Sequence, residues 1–249
     1  MLVRMINKFS LSGLLLVLLV TACSSGSVPG EDDGGDNGGG STACEGCPCV
    51  GDLEVSKPQN IGGSNICSVG GTLTESATLP ALTSDKWHIV DSLIVESGTL
   101  TVEEGVEVLA ESGEYIYVMP GASLRAIGTE SSPILFSSED EDYDLDTSAS
   151  SSDGWTGLVI DTGSSVSANR LEYVVIAEAG VNTDITSGPQ NVNAGITLLG
   201  RHDNTVFNYV QVHDSFCDRV HLNGERFENV AKLDTVLLTG SGRDGIHYF

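Results

Sequence analysis

Basic residues are scarce in this chain: 11 lysines and arginines stand against 35 aspartates and glutamates in 249 residues. A nucleic-acid partner is not expected, because a phosphate backbone has to be met by a basic face. Aromatic residues make up 6% of the chain, too few for a regular exposed stripe of sugar-stacking rings. Trp87, Trp155 and the tyrosines are expected to pack at corners of the fold instead. No amphipathic helical run follows residue 68, which points away from helical architectures. The one long hydrophobic run, around Leu14 to Val20, is too short for a bilayer that takes roughly 20 residues to cross.

That short run sits in a recognisable setting. Arg4 and Lys8 precede it, and Val20-Thr21-Ala22-Cys23 follows with small residues ahead of a cysteine. The segment resembles the signal peptide and lipobox of bacterial lipoproteins. The resemblance implies removal of residues 1–22, lipidation of Cys23 (palmitate among the acyl groups) and a membrane anchor that does not span the bilayer. Ser24 stands where an inner-membrane retention signal places Asp, which implies the outer membrane, with the body facing either the periplasm or the cell surface. The mature chain keeps 9 basic and 35 acidic residues, a formal charge of 9 − 35 = −26. Such a surface favours solubility and attracts cations. Residues 23–43, rich in Gly, Ser and Asp, have too few apolar side chains to offset the entropy of ordering. They read as a flexible tether with a reach on the order of 25 Å. Glu31, Asp32, Asp33 and Asp36 lack a rigid scaffold that would gather them on calcium.

Residues 44–67 form a cysteine-rich segment, with Cys44, Cys47 and Cys49 clustered and Cys67 closing it; Cys217 comes much later. In an exported protein this spacing predicts a disulfide from Cys67 to one of the clustered three, tying down the start of the domain. Zinc held by four thiolates is the rival reading. Cys217, between Phe216 and Asp218, reads as a packed side chain and not as a reactive thiol.

From residue 68 to 249 the pattern is short alternating apolar pairs, such as Leu100/Val102, Ile116/Val118, Leu158/Ile160 and Val210/Val212, broken by Gly, Ser, Asn and Asp. These are short strands of an all-β fold. They also repeat. Residues 208–222 align with 234–248 at an offset of 26, matching Val210 with Val236, Ser215 with Ser241, Asp218 with Asp244 and His221 with His247. Residues 172–180 align with 208–216 at an offset of 36, the surplus falling in the polar insert from Val181 to Asn193. Like residues recurring at about one coil's length, with variable loops at fixed corners, describe a parallel β-helix of some seven coils. The alternation predicts Val210, Val220, Val236 and Ile246 inside, and His221 and His247 outside.

The runs Gly98 to Val108, Met119 to Gly128, Ser132 to Ser137 and Gly154-Trp-Thr-Gly-Leu-Val-Ile160, with Leu171 to Val174 and Arg243 to Phe249, are similar to right-handed parallel β-helix outer-membrane lipoproteins of Gram-negative bacteria. The resemblance spans roughly residues 66–249 and implies the fold without implying an activity. Members of that family are longer, so the chain is expected to be a fragment that stops within a coil.

Three constellations carry candidate chemistry. Asp142, Asp144 and Asp146 alternate, and Asp153 falls at the twelfth position of such a loop, a spacing suited to calcium, although Thr147 replaces the turn glycine. Asp218, His221, Asp244 and His247 form a stacked ladder suited to a metal or to acid–base work, and Asp214 joins them as a candidate carboxylate. The third is the polysaccharide-active enzyme that many β-helices are: a hydrolase needs two carboxylates across a cleft, and a uronate lyase needs basic residues that this chain lacks around Arg125. The reading that follows is a membrane-anchored cell-envelope lipoprotein with a structural or binding role, its partner a polysaccharide or another envelope protein. A β-helix hydrolase or lyase is the alternative. No catalytic residue is assigned, and no cofactor beyond calcium is expected.

Overall fold

The computed structural model describes residues 43–44, 46–56, 59–61, 64–83, 86–138, 154–163, 167–185, 188–223, 232–241 and 245–248. Its strands run in parallel up three faces of a β-helix. The first face is built from Lys86–Val95 in its first half, Glu107–Ala110, Ile134–Ser138 and the second halves of Arg170–Ala177, Val206–Ser215 and Lys232–Ser241. The second holds Tyr115–Val118, Gly157–Asp161, Ala194–Leu199, Asp218–Asn223 and Ile246–Tyr248 above the later parts of Ser64–Leu73 and Lys86–Val95. Ala77–Leu79, Thr99–Val102 and Ser123–Ile127 begin the third, which continues through the first halves of the long strands.

Each face sends alternate residues inward as more than one ladder. Trp87, Val108, Phe136, Ile176, Val212 and Leu238 stack on the first face. Leu93, Ile116, Leu158, Ile196, Val220 and Ile246 stack on the second. Leu79, Val102, Ala126, Leu171 and Phe207 stack on the third. Apart from Ile246 they form one continuous core, with Leu238 packed against it. The repeat read in the sequence is the register of the fold: Val210 pairs with Val236, Ser215 with Ser241, His221 with His247, and Val174 with Val210.

Two expected burials come out differently. Val236 is only partly buried against the core, and Ile246 is 49% exposed. Both belong to the last described coil, where Ile246–Tyr248 pairs with Asp218–Asn223 on one side and with no described strand on the other.

Along the second face the inward ladder from Leu93 onward advances by 23, 42, 38, 24 and 26 residues. Both long steps take their extra residues between a first-face strand and the next second-face strand, after Ile134–Ser138 and after Arg170–Ala177. The acidic stretch holding Asp142, Asp144, Asp146 and Asp153 lies in the first of these and outside the described residues.

The start of the helix is closed. Cys47 and Cys67 form a disulfide with Cα atoms 5.8 Å apart, and Val50 and Leu53 are buried beside it. Glu54–Val55 and Gln59–Ile61 pair antiparallel with Ser64–Leu73, covering an edge that would otherwise template other strands. Cys49 is also disulfide-bonded, so the four-thiolate zinc reading fails. Cys217 is a half-buried thiol.

The run from Gly154 to Gly157 shows why the stacking demands particular residues. Gly157 adopts a φ of 118°, and a Cβ there would stand 2.5 Å from the Ala194 carbonyl oxygen of the next coil. Trp155 is buried with its indole N–H donating to the Ala177 carbonyl at 2.8 Å. Gly157→Ala is therefore expected to cost about 1–3 kcal/mol through strain and overlap. Val210→Asp should cost about 4 kcal/mol by burying an unpaired charge. Urea unfolding followed by circular dichroism measures both, and a loss under 1 kcal/mol at Val210 would contradict its inward position.

Candidate functional site

Outward side chains on a solenoid normally meet water, and on the second face they do not. The outward column there runs Ile94, Tyr117, Val159, Thr197, His221 and His247. Tyr117, Val159 and Thr197 are buried. Their cover is the insert from Val181 to Asn193, which folds back and sets Ile185 and Val192 on Tyr117 and Val159, with Ile94, Tyr115, Met119 and Leu199 around them. Burial, with Asp161 beside it, pushes the Tyr117 hydroxyl up to about 12.

The insert has its own framework. Thr183 and Val192 exchange backbone hydrogen bonds of 2.9 Å in both directions, the Ile185 N–H donates to Pro189, and the Asn191 N–H donates to the Asp184 carboxylate at 2.8 Å. The hydroxyls of Thr156 and Thr183 meet at 2.7 Å and fasten it to the helix. Between the edge of this flap and the sheet lies a pocket of about 340 Å³ lined by Pro189, Gln190, Asn191, Val192, Thr197, Leu199 and His221.

Beside that pocket three candidate residues converge. Asp218 opens the strand Asp218–Asn223, where its backbone N–H donates to Asn193 at the end of the insert. Its carboxylate is buried, with Oδ2 at 2.8 Å from His247 Nδ1 and 3.8 Å from His221 Nδ1. The two imidazoles stack with centroids 5.4 Å apart. One ligating atom from each of the three residues lies within 4.8 Å of the others. His221 and His247 do point away from the core, but their side chains are only 15% and 22% exposed. The expectation of a solvated ladder is corrected on this point: Asp218 draws one imidazole in, and the flap edge flanks the other.

The remaining candidates are placed apart from this group. Asp214 is a corner residue with a φ of 47°, directly above Glu178 at 53° in the coil before. Asp tolerates that left-handed conformation better than most residues. Burial raises its pKa against the pull of His213 and Arg219. Asp244 lies outside the described residues. Trp87 and Trp155 are buried, while Tyr173 and Tyr209 stack at 4.5 Å on a corner where both have positive φ. Thr197 and the flap residues Pro189 to Val192 were not singled out from the sequence. The signal available was Ile185 and Val192, two apolar residues in an otherwise polar insert.

Residues 71–170 match the family model described as a pectate-lyase-like beta helix domain. No curated protein and no solved structure matches the chain. The matched span ends before the flap, the pocket and the Asp218 cluster, so the likeness supports the β-helix and leaves this site to be read from its own geometry.

Two other histidines serve the fold. His202 joins Thr205 and the Leu199 carbonyl at 3.0 Å each, and His213 meets the Thr239 hydroxyl at 2.9 Å. Burial lowers the pKa of both. The native state then holds fewer protons than the unfolded chain below the ordinary histidine value of about 6.5, so their stabilisation is present above that pH and lost as pH falls through it. The melting temperature should drop between about pH 7 and pH 5. His202→Gln should flatten that drop, and an unchanged slope would contradict its neutral burial.

Proposed function

We propose that this chain is a lipid-anchored protein of the bacterial outer membrane whose β-helix body binds a ligand in the pocket beneath the 189–192 segment. The observation that carries the binding role is the flap. A solenoid needs no cover on its outer face, yet here an insert with its own hydrogen bonds buries that face and leaves a concavity of the size that holds small ligands. Its lining mixes an apolar wall, Val192 and Leu199, with the polar groups of Gln190, Asn191, Thr197 and His221. A chain of charge −26 in its mature form repels polyanions, so an uncharged saccharide unit or a cationic partner suits it best.

The likeness to a pectate-lyase-like domain favours a second reading, a polysaccharide-active enzyme. Against it, the described residues gather one carboxylate at the site, where glycoside hydrolysis uses two. The neighbouring Arg219 already donates to the Thr239 carbonyl. Incubation with neutral and uronate-containing oligosaccharides separates the readings. Binding without bond cleavage, weakened by Thr197→Val, is expected; accumulation of shorter or unsaturated products would establish the enzyme instead.

The anchor rests on Val20 to Cys23. Cys23→Ser should move the protein from the membrane fraction to the soluble fraction. Retention on membranes after a high-salt wash would show that something other than the lipid holds it.

A further inference from the structure

We propose that Asp218, His221 and His247 bind one divalent transition-metal ion of the zinc type, with an open coordination position turned toward the pocket. The donors are one carboxylate oxygen and two imidazole nitrogens. Such a set suits zinc, cobalt, nickel or copper and is poor for calcium and magnesium, which take oxygen. Bonds of about 2.1 Å around a tetrahedral ion place neighbouring donors about 3.4 Å apart. The separations of 2.8 and 3.8 Å from Asp218 Oδ2 bracket that value, so the site needs only small side-chain adjustments to close on an ion. The stacking supplies the rigidity: His221 and His247 occupy one register position on consecutive coils, and Asp218 begins the strand that carries His221.

A second observation stands apart from the three donors. Thr197 lies directly beneath His221 in register and lines the same pocket. It is 3% exposed, and its hydroxyl has no hydrogen-bond partner among the described residues. A buried hydroxyl is rarely left so, and a water or ligand group on the ion's fourth position would satisfy it. Three protein ligands and one open place are the arrangement of zinc sites that bind exchangeable ligands, in contrast to closed structural sites. This inference deepens the binding reading by naming what the polar end of the pocket holds. It can fail separately, because metal affinity is measured with the metal alone.

The test uses the full chain in detergent, kept oxidised, stripped with a chelator and titrated with Zn2+ against a chromophoric competitor. One equivalent per chain is expected. His221→Asn and His247→Asn should each weaken binding by about 100-fold or more, while Cys217→Ser leaves it unchanged, which excludes the thiol. Zn2+ should raise the melting temperature of the wild type and not of His247→Asn. Asp218→Asn should behave like the histidine variants; should it fail to fold, the histidine variants, checked by circular dichroism, carry the test. The proposal is overturned by absence of saturable one-equivalent binding, by undiminished binding in folded His221→Asn and His247→Asn, or by displacement of Zn2+ by equimolar Ca2+. A wild-type protein that binds saccharide but no metal would sink this inference and leave the pocket reading standing.

Discussion

Everything in this molecule depends on the parallel hydrogen-bonded register between one coil and the next. Because each strand lies directly on its predecessor, a residue is surrounded by its own equivalents above and below, and the fold is stable only where those equivalents tolerate one another. Inward positions therefore repeat as aliphatic and aromatic ladders, and the core is a column in place of a ball. The same closeness forbids a side chain where a corner brings two backbones together, as at Gly157 against Ala194. It also confines variation in coil length to loops. Both long inserts leave at the corner between the first and second faces, so additions to the chain accumulate along one edge.

Stacking makes sites as readily as it makes cores. Two histidines one coil apart are held at strand spacing without any dedicated scaffold, and a carboxylate at the start of the lower strand completes the group. What converts this from a solvated row into a site is cover. The flap removes water from the outward column below His221 and leaves it a partial boundary beside His221 itself, so the imidazole sits at the end of a covered groove. Partial burial of ionisable groups near a concavity is the usual setting for ligand and metal binding.

The fold was legible because its information is periodic. An offset of 26 between two copies, and of 36 across an insert, yields the register residue by residue, including Ser215 beneath Ser241 and Glu172 beneath Asn208. The disulfide was legible as a class from the cysteine cluster, and its choice of Cys47 depends on a three-dimensional turn that spacing does not encode. Periodicity was silent on two matters. It predicts direction, not exposure, so His221 and His247 were read as solvated although neighbours cover them, and Ile246 was read as buried although no described strand follows it. It also treats inserts as gaps, which hid the flap, the pocket and Thr197.

Charge connects these features. A chain with a formal net charge of −24 carries a negative long-range field, which concentrates cations near it and raises their rate of encounter with any donor group. Among the described residues, most carboxylates are exposed or partly exposed, where the benefit of holding one ion is small. Asp218 differs in being buried, with two imidazoles beside its carboxylate. A dication held there would meet this carboxylate together with two imidazole nitrogens. The long-range field thus collects ions without distinguishing them, and the nitrogen donors of His221 and His247 supply the discrimination. Selectivity in this region is expected to come from two stacked histidines and not from the abundance of acidic residues.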